Sequence, residues 1–131
     1  MRQKSIAVII VAAGKGERAG ADGDGRPKQY RPVHGQAVFA RTIQAFLDHP
    51  AIAHVVPVIH PDHMALYAAL GLSDARLMAP VPGGASRKAS VLEGLKALGP
   101  LRPDLVLIQD AIYSSNPSFR NFIAANDLAP N

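Results

Sequence analysis

Val8-Ile9-Ile10-Val11-Ala12-Ala13-Gly14-Lys15-Gly16-Glu17-Arg18-Ala19-Gly20 decides how the rest of the chain is read. Ile6 to Val11 is an unbroken apolar run rich in β-branched residues. It does not alternate with polar residues, so it predicts a strand buried on both faces. Such strands belong to α/β domains, in which ligands bind beyond the carboxyl ends of the strands. Here the strand runs straight into glycine. Gly14 and Gly16 remove Cβ where the backbone must turn tightly and lie close to a ligand. Free N–H groups in such a loop, with Lys15 and Arg18 beside them, suit a phosphate.

Two common phosphate-loop patterns do not explain this stretch. Gly14-Lys15-Gly16-Glu17-Arg18-Ala19 fits the dinucleotide fingerprint G-x-G-x-x-G/A. That fingerprint requires a helix opening within the glycines and an acid about 20 residues on. Gly20-Ala21-Asp22-Gly23-Asp24-Gly25-Arg26-Pro27 cannot be a helix interior, and His34 to Phe39 contains no acid. A nicotinamide-binding domain is therefore disfavoured. The G-x-x-x-x-G-K-[ST] pattern is absent as well. Asp22 and Asp24 read as solvated loop residues. The long glycine-rich loop ends in Pro27-Lys28-Gln29-Tyr30.

Outward from the loop, helices and strands alternate. Gln36 to His49 predicts a helix whose apolar face is Phe39, Ile43, Phe46 and Leu47, ended by Pro50. His54 to Ile59 predicts a strand, in which Pro57 implies a bulge or an edge. Asp62 to Leu70 predicts a helix opened by Pro61 and closed by Gly71. His60-Pro61-Asp62-His63 lacks further metal ligands and reads as a turn leading into that helix. Arg76 to Met78 is a short strand candidate. Ser86 to Leu98 predicts a third helix with Val91, Leu92, Leu95 and Leu98 buried, and Leu105 to Ile108 a further strand. This order argues for an α/β domain with a mostly parallel sheet. Pro117 to Ala125 predicts a short amphipathic helix capped by Asn116.

Composition narrows the class. The chain has 131 residues, 48% of them hydrophobic and 18% charged, which is globular and large enough for a core. It has no cysteine, hence no disulfide and no thiolate metal site. Reducing cytoplasm is permitted. No run approaches the roughly 18 apolar residues of a membrane span, and the short apolar start is no signal peptide. The net charge of +4 comes with only 5% aromatic residues and no long basic run, so a nucleic-acid stacking surface is disfavoured.

Three motifs together carry a specific resemblance. Ala12-Ala13-Gly14-x-Gly16-x-Arg18 with Pro27-Lys28-Gln29-Tyr30 resembles the 2-C-methyl-D-erythritol 4-phosphate cytidylyltransferases. Gly83-Gly84-Ala85-Ser86-Arg87-Lys88-Ala89-Ser90-Val91-Leu92-Glu93-Gly94-Leu95 resembles their second nucleotide segment. Its Gly-Gly-Ala-Ser form is similar to the bifunctional type, fused to a cyclodiphosphate synthase. Val106-Leu107-Ile108-Gln109-Asp110-Ala111 resembles the strand that ends in the family's metal-binding Asp. The likeness covers about residues 6–111. It implies a Rossmann-like three-layer nucleotidyltransferase fold, here truncated: residues 1–111 as the nucleotide-binding part and 112–131 as a divergent tail. The family's Ala-Ala-Arg-Pro after the metal Asp is replaced by Ala111-Ile112-Tyr113-Ser114. Relatives continue further, with more strands, a dimerisation arm and additional acceptor-site residues.

The resemblance implies transfer of CMP from CTP to 2-C-methyl-D-erythritol 4-phosphate, with release of pyrophosphate, in a cytoplasmic homodimer that uses Mg2+. Arg18 and Lys28 are the implied catalytic cations. Ala12, Ala13, Gly14, Gly16, Gly83 and Gly84 are the implied nucleotide contacts, mainly through backbone. Ser90 adds a hydroxyl contact, or else forms a capping box with Glu93. Arg87 or Lys88, at the start of a helix, faces phosphate or solvent. Asp110 is the implied metal ligand. The rival functions are an inactive nucleotide-binding remnant and another sugar-phosphate or cofactor nucleotidyltransferase of this fold.

Overall fold

The apolar run folds as β1 (Ile6–Ala12), one residue longer than its sequence pattern, and lies inside a four-stranded sheet. The computed structural model describes residues 5–14, 27–33 and 35–110. Expectations for Gly16, Arg18, the rest of the glycine-rich loop and the helix over 117–125 lie outside the described residues. The further elements are β2 (Pro32–Val33), β3 (Gln36–Ala37), α1 (Val38–Leu47), β4 (Ile52–Ile59), α2 (Met64–Ala68), β5 (Val81–Pro82), α3 (Arg87–Leu98) and β6 (Leu105–Asp110). The sheet order is β5-β4-β1-β6 and every pairing is parallel. Counted along the sheet's own strands this is 3-2-1-4, the doubly wound order whose reversal point lies beside the first strand.

Helices cover both faces, as a parallel sheet requires. Ile6, Val8, Ile10 and Ala12 point to one side and pack with Phe39, Ile43, Phe46 and Leu47 of α1 and with Tyr67 of α2. Ala7 and Ile9 point to the other side and pack with Val56, Val58 and Leu98, the last from α3. The period-2 alternation of a strand thus divides one uniformly apolar run between two half-cores. Each large side chain so buried contributes about 1.5–3 kcal/mol. The result is the expected three-layer arrangement.

Several boundaries differ from the sequence reading. α1 is shorter than 36–49 because Gln36 and Ala37 pair with β2 in an antiparallel hairpin. Its apolar face is buried as expected. In place of one helix over 62–70, a 3-10 turn (Pro61–His63) precedes α2. His60 tightens it, since its Nδ1 accepts the Asp62 N–H at 3.0 Å. Gly71 follows α2 with φ +66, a conformation that glycine alone adopts without strain. Leu77 makes only a single bridge to Val55, whereas Val81 and Pro82, not anticipated, form β5.

Pro57 is buried within β4. Val55 donates to the Arg76 carbonyl and accepts from Met78, and Ile59 accepts from Gly83. Residues two apart address the same neighbour, so the donor missing at Pro57 faces Ala79 and Pro80, which form no strand. β4 is thus not an edge strand, since β1 and β5 flank it, but its pairing has a local gap at Pro57. The register irregularity falls instead between Ile6 and Ala7.

The buried face of α3 is the expected one only in part: Leu98 is buried and Val91 half-buried, but the rest differs. Ser90, Gly94 and Leu98 are buried, whereas Leu92 and Leu95 are 50% and 41% exposed. Gly94 explains the choice. A Cβ there would lie 2.8 Å from Ile9 Cγ2, so the helix backbone sits directly on the sheet. Small residues at 90 and 94 let the helix come closer than leucines at those positions would allow.

Candidate active site

The carboxyl ends of β1 and β6 open onto a pocket of about 330 Å3, within the usual range for small-molecule sites. Val11 pairs with Asp110 across the two strands, which fixes the pocket at the reversal point of the sheet. Ala12, Ala13, Gly14, Gly84, Ser90 and Asp110 all line it. Six of the proposed contact residues, drawn from three distant motifs, therefore meet in one concavity. Gly83 lies just beneath. Lys28 opens a 3-10 turn (Lys28–Tyr30) beside Gln29, another lining residue; the placement of the Lys28 side chain lies outside the described structure.

Gln29 was not singled out from the sequence. Its amide is buried and Nε2 donates to two carbonyls, Ala12 at 3.3 Å and Gly14 at 3.2 Å. Both amide hydrogens are thereby committed to the end of β1. Two carbonyl oxygens that would repel a phosphate are turned toward a donor instead. Gln29 stands inside the Pro27-Lys28-Gln29-Tyr30 motif, but the motif alone did not say what its amide holds.

Gly83 and Gly84 serve the protein's own packing. A Cβ on Gly83 would lie 2.3 Å from Ala13 Cβ and 2.7 Å from Ser90 Oγ; one on Gly84 would lie 2.5 Å from Ala89 Cβ. These distances are shorter than any van der Waals contact, so the loop after β5 is pressed onto β1 and α3. Ser90 is 1% exposed and its Oγ accepts the Gly84 N–H at 3.1 Å. The capping box with Glu93 is not formed. Ser86 caps α3 instead, accepting the Ala89 N–H at 3.0 Å, and Glu93 pairs with Lys96. The first amides of α3 have no carbonyl a turn earlier, and this helix start faces the pocket through Ser86 and Arg87.

Asp110 is half exposed and forms an ion pair with Arg87, Nε to Oδ1 at 3.2 Å. Among the described residues no cluster of three or more His, Asp or Glu exists. One rim carboxylate does not make a standing metal site. It does fit a cation such as Mg2+, which keeps waters and takes its remaining ligands from substrate phosphates.

The His60–His63 segment is structural, as the sequence suggested. His63 is 8% exposed and packs edge-on against Tyr30, with ring centroids 5.5 Å apart. Burial, with His60 nearby, holds its imidazole below the usual histidine range. Burial also pushes the Tyr30 and Tyr67 phenols up. No helix among the described residues is long and apolar enough to cross a membrane.

Comparison with known proteins adds what geometry alone lacks. The family model of the 2-C-methyl-D-erythritol 4-phosphate cytidylyltransferases matches residues 6–128. The bifunctional enzyme IspD/IspF of Nitrobacter hamburgensis is 45% identical over 127 residues, which is 95% of this chain and 30% of that protein. The protein of the same name from Bradyrhizobium sp. strain BTAi1 is 51% identical over 105 residues, 80% of this chain and 26% of that protein. The 4-diphosphocytidyl-2C-methyl-D-erythritol synthase of Anaerococcus prevotii superposes with a TM-score of 0.72 at 28% identity, covering 94% of this chain and 51% of that one. The chain thus spans between a quarter and a third of these bifunctional relatives and about half of the solved synthase.

Proposed function

We infer a function from this premise: the chain belongs to the 2-C-methyl-D-erythritol 4-phosphate cytidylyltransferase family. It forms the nucleotide-binding part of an enzyme that moves CMP from CTP to 2-C-methyl-D-erythritol 4-phosphate. The observation that carries this reading is the meeting of the β1 end, the Gly84–Ser90 segment and Asp110 around one pocket at the sheet's reversal point. Each of those segments came from a separate family motif.

In the reaction a phosphate oxygen of the acceptor forms a bond to the α-phosphorus of CTP. The bond from that phosphorus to the bridging oxygen breaks, and pyrophosphate leaves with the electron pair. The protein's tasks are positioning and charge neutralisation. Ala12, Ala13 and Gly14 present backbone to the phosphates, and the family resemblance gives Gly16 the same role. Gly84 and Ser90 form the wall on which the base rests, over Gly83. Arg18 and Lys28 supply positive charge where negative charge builds on the α-phosphoryl oxygens. Asp110 would hold a divalent cation, taken as Mg2+, which screens the phosphate charge. Cytoplasmic location follows the family reading, whose members are homodimers, and composition argues against nucleic acid or membrane as partners.

A thermal-shift panel tests the binding half of this proposal. The chain is melted with Mg2+ and CTP, UTP, GTP, ATP or NAD, and the panel is repeated on Lys28→Ala. A ligand bound only by the folded state adds about 2.7 kcal/mol at a hundredfold excess over its dissociation constant. We expect a shift selective for CTP and lost in Lys28→Ala. Folded protein that shifts with none of them overturns the reading, and preference for GTP or UTP redirects it to another nucleotidyltransferase. Pyrophosphate release with CTP and the acceptor then tests transfer itself.

A further inference from the structure

We propose that Arg87 and Asp110 form an exchangeable pair that couples cation binding to nucleotide binding. In the structure Arg87 occupies the carboxylate that a cation needs. When a polyphosphate enters together with a cation, the guanidinium passes to phosphate and the carboxylate to the metal. The inference rests on the nucleotide reading above and deepens it.

Geometry carries the argument. The two side chains are 3.2 Å apart, at Arg87 Nε and Asp110 Oδ1, and both line the same pocket. They come from opposite walls: Arg87 opens α3 and Asp110 ends β6. Their exposures of 58% and 50% make the pair solvent-screened, hence easily given up. The planar guanidinium fork of Arg87 suits phosphate as well as carboxylate. A divalent cation arriving alone faces a carboxylate already neutralised and a fixed positive charge beside it. The same cation arriving on a polyphosphate brings the anion that takes Arg87 away. Metal and nucleotide should therefore bind each other's complex better than the free protein, and by linkage that factor is equal in both directions.

The test is a titration of Mn2+, followed by the loss of the free-ion electron paramagnetic resonance signal. It is run on the whole chain with and without CTP, for the parent, Arg87→Gln and Asp110→Asn. Arg87 is exposed, and circular dichroism checks that each variant is folded. We expect Arg87→Gln to tighten Mn2+ binding without nucleotide by roughly two- to fivefold, the range of an exposed ion pair. The same change should weaken CTP binding without metal and bring the metal–nucleotide coupling factor toward one. Arg87→Gln placed on Asp110→Asn should leave Mn2+ binding unchanged. Arg87→Gln protein that binds Mn2+ no better than the parent, an absence of binding by both included, overturns the proposal. If Mn2+ tightens as expected but CTP binds neither protein, the pair stands as a gate on the carboxylate and the CTP reading fails.

Discussion

Gln29 links two parts of the chain that carry different chemistry. It holds the Ala12 and Gly14 carbonyls while its neighbour is Lys28. Replacing it with leucine keeps the bulk and strands two acceptors next to the proposed phosphate site. An unpaired buried polar group costs about 1–3 kcal/mol. Gln29→Leu should lower the free energy of unfolding by about that amount and weaken CTP binding at least tenfold. Chemical denaturation and calorimetric titration would measure the two effects. A stability loss with unchanged affinity would reduce Gln29 to a structural brace. At this scale the sequence was partly legible. Lys28, Asp110 and the β1 residues could be named because motifs carry them, and the pocket gathers most of those that are described. The role of Gln29, and the pairing of Arg87 with Asp110, could not be read. They depend on which side chains meet across long separations, 15 residues from Gln29 to Gly14 and 23 from Arg87 to Asp110.

Among the elements, α3 is where hydrophobic patterning misled. Its leucines suggest a buried stripe, yet the helix seats on Ser90, Gly94 and Leu98. Periodicity counts apolar residues and gives no credit to a glycine that lets two backbones approach. Gly94→Ala tests the seat. Its new methyl would meet Ile9 Cγ2, a branch rooted in a fully buried strand, with little room to yield. We expect a loss of about 1–3 kcal/mol, the usual cost of overpacking, from urea unfolding midpoints. An unchanged midpoint would mean that α3 lifts off the sheet readily. Where a single mechanism sets the pattern, the elements were legible: β1 by its apolar run, α1 by its four-residue apolar face, α2 by its closing glycine. The hairpin and β5 were not, because two-residue strands exist only through their partners.

On the scale of the whole molecule, the doubly wound layering followed from strand–helix alternation, and membership of the family from three motifs in order. Neither indicates which surface stays uncovered. Leu92, Leu95, Leu101 and Ile108 are each more than 40% exposed, and among the described residues β6 pairs only with β1. A sheet edge beside exposed apolar side chains favours association. Sedimentation of the chain over a hundredfold concentration range should show species heavier than the monomer. Leu92→Lys with Leu95→Lys should shift the distribution toward monomer while changing the melting point little. A monomer at every concentration would exclude this surface as a driver. The position of β1 has a further consequence, one of timing. It is the first strand among the described residues, yet its two neighbours begin at residues 52 and 105. During synthesis the most apolar segment is made long before either neighbour can close upon it. Such non-local pairing makes folding slow, because the entropy of closing the long loops is lost before the contacts form. Until β6 emerges, β1 stays open along one side, and a chain of this design is most vulnerable to aggregation while it is being made.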